Sequence, residues 1–226
     1  IRWPSMSDWR NLETNEDLDF SPYNVTWKNE RCVELALAFR WIEEKEASNI
    51  VEIGAVMPYY DENPYTPHMG KIIFTHDVID PYDERATIRD FMENHDLSMK
   101  NVLAISTIEH IGTTDYDGSG ERQQVYDETL APLALQQILN QSASCFVTIP
   151  VGYNHSLDTW LEENLHRLNC FGYLKTQHGF DKSGNTWPPE WIAKWEYHPE
   201  VKSISDYEYR HPFPFGNFVL CIEGWK

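Results

Sequence analysis

Apolar positions along the chain fall into separated runs whose lengths predict an alternation of helices and strands. Val33, Leu35, Ala36, Leu37, Phe39, Trp41 and Ile42 supply a helix-length stretch that opens after Asn29 and closes in the charged Glu43, Glu44, Lys45 and Glu46. Asn49 to Val56 is a short apolar strand with almost no alternation, the pattern of a central parallel strand buried on both faces. Pro58, Pro64, Pro67 and Gly70 punctuate the following residues, so any helix there is short or distorted. Lys71 to Ile79 reads as the second strand, Arg85 to Asp90 as a short third, and Asn101 to Thr107 as the next. Leu130, Leu133, Leu135, Ile138 and Leu139 mark an amphipathic helix over Glu121 to Asn140, and Ser144 to Val151 is another buried strand. Strands alternating with helices predict an α/β sheet.

Beyond Gly152 the character shifts to aromatics and turns, with Trp160, Phe171, Tyr173, Phe180, Trp187, Trp191, Trp195, Tyr197, Tyr207 and Tyr209. Asp158 to Leu168 reads as helical and Phe218 to Ile222 as a closing strand. A chain of 226 residues, 41% of them apolar, supports one sizeable core. The expected organisation is a single domain over 1–226: an N-terminal arm at 1–28, a core at 29–155 and an aromatic-rich part with the closing strand at 156–226.

A formal charge of -18, from 36 acids against 18 bases, argues against a nucleic-acid partner, because phosphate neutralisation needs clustered Lys and Arg. Arg2, Arg10, Lys28, Arg31 and Arg40 stand singly among acids. The acidity reads as a solubility feature or as an adaptation to a salt-rich setting. Cys32, Cys145, Cys170 and Cys221 are widely spaced, the usage of free thiols in a reducing, cytoplasmic setting. No run approaches the roughly 20 apolar residues of a membrane span, so no membrane partner is expected. The chain starts at Ile1 without Met or a signal-peptide pattern and reads as trimmed.

Candidate chemistry lies at the carboxyl ends of the strands, which parallel βα units bring to one rim. Glu52, Gly54, Asp80, Thr107, Glu109, Pro150 and Tyr153 converge there on this reading, although they are distant in sequence. Gly54 permits close backbone approach to a ligand; alone it is equally an ordinary turn. Asp80 before Pro81 suits a ribose-binding carboxylate one βα unit later, and suits a turn initiator as well. Glu109 and His110 put two titratable groups at a strand end, and the ordinary histidine pKa of about 6.5 fits proton removal near neutrality. The alternative is a turn cap with a locally packed His. His68, His76 and Asp77 lack metal-ligand spacing, so no metal is expected.

Together these segments resemble class I S-adenosylmethionine-dependent methyltransferases of the small-molecule type. Asn49 to Val56 is similar to their first motif, an acid followed by a glycine turn, although Val56 and Pro58 stand where the family usually has further glycines. Ile79-Asp80-Pro81 resembles the second-strand acid, Ser106 to Gly112 the fourth-strand segment, Thr148 to Gly152 the fifth strand, and the Phe218 to Glu223 strand the seventh. The resemblance implies a Rossmann-like three-layer sandwich: a mostly parallel seven-stranded sheet with an antiparallel last strand. It implies S-adenosyl-L-methionine as cofactor, held by Glu52, Gly54, Ala55, Asp80, Pro81, Asp90, Ser106 and Thr107, with Asp96 as an alternative to Asp90. His110 and Glu109 are the implied catalytic pair, and Tyr59, Tyr60, Tyr153 and His155 wall a pocket for a small acceptor, such as a sugar or a nucleotide-linked metabolite. Two other readings stay open: a catalytically silent binding module, and an NAD-dependent oxidoreductase, although Gly-x-Gly-x-x-Gly and Tyr-x-x-x-Lys are both absent.

Overall fold

In a computed structural model, residues 26, 28–43, 50–54, 56–57, 60, 77–79, 96–113, 127, 129–180 and 192–226 are described. The expected N-terminal arm (all but residues 26 and 28), the third strand at 85–90 and most of the stretch 121–129 lie outside them. The chain order is α1 (Arg31–Glu43), β1 (Ile50–Ile53), β2 (Asp77–Ile79), β3 (Asn101–Ile105), α2 (Leu130–Gln141), β4 (Ser144–Pro150), α3 (His155–Asn164), β5 (Leu168–Gln177), β6 (Lys194–His198) and β7 (Phe218–Trp225). The strands form one open, mixed α/β sheet in the order β2-β1-β3-β4-β7-β5-β6.

Successive side chains of the central strands alternate between two faces, and both faces are buried. On one face α1 packs against Leu103, Ile105, Phe146, Val219 and Cys221. The side chains from Cys32 to Phe39, with Trp41 and Ile42, are all buried, so this helix is enclosed on every side rather than amphipathic. On the other face α2 and α3 cover Val102, Ala104, Val147, Ile149, Leu220 and Ile222. The chain therefore stacks helix, sheet and helix, the arrangement a parallel strand run requires if both its faces are apolar.

Three features differ from expectation. The helix placed at Asp158 to Leu168 begins at His155, because the Asn154 side chain accepts a hydrogen bond from Leu157 N at 3.1 Å and caps it. It ends at Asn164, and Leu168 opens β5. β5 and β6 themselves were unforeseen: the aromatic stretch that reads as turns supplies an antiparallel pair, with Tyr173 opposite Tyr197 and Lys175 opposite Trp195. In consequence the sheet is less parallel than expected. The pairings β1–β2, β1–β3 and β3–β4 are parallel, while β4–β7, β5–β7 and β5–β6 are antiparallel. The closing strand runs longer than Phe218 to Ile222, reaching Trp225, and it lies antiparallel between β4 and β5 as an internal strand.

Candidate site at the strand ends

Parallel pairing fixes the geometry of the rim. Ile53 lies opposite Ile79 on one side and Ala104 on the other, and Ile105 lies opposite Thr148, so β1, β2, β3 and β4 all release the chain at one edge. Glu52, fully buried, turns its Oε1 into the following loop and accepts from Val56 N at 2.9 Å and Met57 N at 2.8 Å. It shapes the turn from within. Gly54 then takes φ of +84°, and a Cβ there would run into Thr107 Oγ1. Only a residue without a side chain lets the ends of β1 and β3 approach this closely.

The exit from β3 is bound just as tightly. Ser106 has φ of 40° and donates its backbone N–H to Thr148 O at 3.1 Å. Its hydroxyl donates to Glu34 Oε1, which also accepts from Thr148 Oγ1 at 2.8 Å. The other Glu34 oxygen meets Arg31 Nη1 at 3.1 Å, and Arg31 reaches Ile105 O at 3.3 Å. Burial pushes the Glu34 carboxyl above its usual range, against the pull of Arg31. One buried acid of α1 thus locks two strand ends together, while its neighbour Glu30 accepts from Gly216 N at 2.9 Å in the segment before β7. Sequence reasoning passed over both acids. The available signal was Glu34 itself, a lone charge inside the otherwise apolar run from Cys32 to Phe39, since buried acids are rare unless paired.

Glu109 and His110 sit in a single 3-10 turn, Ile108–His110, just beyond the strand. The expectation that both are exposed fails for Glu109, which is 1% exposed. Neither of its carboxyl oxygens has a hydrogen-bond partner among the described residues; His110 Nε2 lies 3.6 Å from Oε1. Desolvation raises its pKa well above the carboxylate range, and nearby Glu34 adds to the rise. Burial thus favours the protonated form of the Glu109 carboxyl. Asn154, also overlooked, ties this turn to the end of β4 by donating to Glu109 O at 3.0 Å while it caps α3.

Tyr153 sets its ring edge against His110, with centroids 4.5 Å apart, and against Tyr209 at 4.9 Å. Tyr209 is carried in by a backbone segment that lies against Gly152, where φ is +89° and a Cβ would strike Tyr209 N. His155 is exposed at the start of α3. Tyr60 is 2% exposed and packs in the core with α1, so it presents no free face to a pocket. Asp96 is an exposed turn acid whose pKa is lowered by the Ser98 side chain and by the hydrogen bond it accepts from Ser98 N at 2.9 Å. Ala55, Tyr59, Asp80, Pro81 and Asp90 lie outside the described residues. Among the described residues no three His, Cys, Asp or Glu side chains are grouped to hold a metal ion, and no helix is long and apolar enough to cross a membrane.

Fold and site define a class: an open α/β protein whose polar groups cluster at the carboxyl ends of its parallel strands, where such sheets take ligands. Comparison with family models, with curated proteins and with solved structures finds no match to this chain.

Proposed function

We propose that the chain is a Rossmann-like S-adenosylmethionine-dependent methyltransferase acting on a small-molecule acceptor. The observation that carries this reading is the register of Ile53 with Ile79 together with the left-handed Gly54. The turn after β1 and the residue after β2, Asp80, then follow strand ends that are direct neighbours. The antiparallel last strand beside β4 and the helices on both faces support the same reading.

Bound S-adenosylmethionine supplies a methyl group already activated on a sulfonium. The protein's task is to align the acceptor and, where the acceptor must lose a proton, to take it. Thr107 fills the space beside Gly54, so the cofactor would be held at the mouth of the turn that Gly54 opens, with Asp80 accepting its ribose hydroxyls. His110 takes the acceptor proton at a ring nitrogen. Glu109, buried with its carboxyl 3.6 Å from that ring, packs beside it and helps to fix its position. Tyr153, in edge contact with His110, limits the ring's rotation and screens it from water.

Calorimetric titration with S-adenosylmethionine and S-adenosylhomocysteine tests the reading. Binding of both is expected, with Asp80→Ala weakening it at least tenfold and His110→Ala leaving it intact while turnover falls about 10²-fold, the lower end for loss of a general base. Parent-like binding and turnover in both variants overturns the site assignment. One observation favours the silent binding module instead: Val56 N and Met57 N both donate inward to Glu52, so neither amide is free for a ligand. Failure of either adenosyl compound to bind decides for that reading, and binding of NAD alone decides for an oxidoreductase.

A further inference from the structure

The loop after β4, helix α3 and the segment 204–208 line a half-open cavity of about 560 Å³, a volume typical of small-ligand sites. Its chemistry follows from helical spacing. His155, Asp158, Thr159, Glu162 and Glu163 stand at i, i+3, i+4, i+7 and i+8, so they share one face of α3, and that face lines the cavity. Glu162 is committed to building the opposite wall, accepting from Ser203 Oγ at 2.8 Å and Ile204 N at 2.7 Å. Asp158 accepts a hydrogen bond from Gly152 N at Oδ2 (3.1 Å) and adds its carboxylate to the lining. Glu163 and Glu208 stand exposed at the rim, and among the described residues no Lys or Arg lines the cavity. Tyr153 belongs both to this lining and to the contact with His110, which puts the cavity beside the catalytic turn.

Resting on the methyltransferase reading, we infer that this cavity is the acceptor subsite and takes a hydroxyl-rich molecule bearing a protonated amine, of the amino-sugar class. An ammonium brings three donors and a positive charge to a site that offers acceptors and carboxylates. The rings of Tyr153 and Tyr207 give the apolar face of a sugar a surface to lie on. A phosphate would meet Asp158, Glu163 and Glu208 with no Lys or Arg in the described lining to offset them, which sets nucleotide-linked acceptors aside.

The test is calorimetry on the 226-residue chain with D-glucosamine, D-glucose and glucose 6-phosphate, repeated on the double variant Glu163→Gln, Glu208→Gln, which keeps side-chain shape at two exposed positions. Glucosamine is expected to bind at least tenfold tighter than glucose, and glucose 6-phosphate not at all. The double variant should lose about fivefold in glucosamine affinity, as two exposed charge contacts allow. Absent glucosamine binding, equal affinity for glucose, binding of the phosphate ester, or an unchanged double variant each overturns the inference. Titrating S-adenosylmethionine into the same samples separates the two readings. Cofactor binding without amine binding removes only the subsite, and amine binding without cofactor binding removes the methyltransferase assignment.

Discussion

Asp158 allows a stability experiment whose sign and size both follow from its surroundings. Desolvation raises its carboxyl from 3.8 to about 6, against the hydrogen bond from Gly152 N and the nearby His155. An acid whose pKa is higher in the folded protein than in the unfolded chain favours folding only while protonated. Its contribution is complete below pH 3.8 and is lost as pH rises through about 6. The full difference corresponds to about 3 kcal/mol, and screening at a half-buried position reduces that to about 1–2 kcal/mol. Asp158→Asn keeps an oxygen for Gly152 N and carries no charge. The variant should match the parent in urea unfolding at pH 4 and exceed it by about 1–2 kcal/mol at pH 8, with the gap opening between pH 4 and 6. Subtracting the parent curve removes the contributions of Glu34 and Glu109, which also sit above their usual range. A gap of equal size at both pH values, or a variant less stable than the parent at pH 8, refutes the argument.

Glu34→Ala should cost about 3–5 kcal/mol in urea unfolding, since it strands the partly buried Arg31 and leaves the Ser106 and Thr148 hydroxyls without their acceptor; a loss under about 1 kcal/mol, typical of a surface pair, would refute the locking role. Gly54→Ala should destabilise by at least about 1–3 kcal/mol through the left-handed backbone alone, and Thr107→Gly in the same chain should recover only the part due to the side-chain clash. Complete recovery would show that φ at Gly54 contributes nothing. Glu109→Gln should match the parent in stability at pH 4, where the unfolded acid is still largely protonated, and exceed it increasingly as pH rises above 4.5, because the unfolded acid ionises while burial resists ionisation in the folded chain. A gap that does not widen between pH 4 and pH 8 contradicts a raised Glu109.

Run length and apolar density along the chain determined α1, β1, β3, β4 and the start of β7, because strands buried on both faces need uninterrupted apolar side chains whatever lies beside them. The same pattern placed Gly54, Thr107, Glu109 and His110 just beyond strand ends. Local pattern had no access to partners. β5 and β6 carry mixed burial and pair across a long connection, so Phe171, Tyr173 and Tyr197 read as scattered aromatics until the ladder set them side by side. Tertiary structure alone decided that Glu34 meets Thr148, 114 residues away, and that Glu30 meets Gly216, 186 residues away. It likewise decided that Glu109 is sealed from water while the cavity wall of α3 stays open. A titratable side chain takes its charge state from the dielectric and the partners around it, and only the folded chain supplies those.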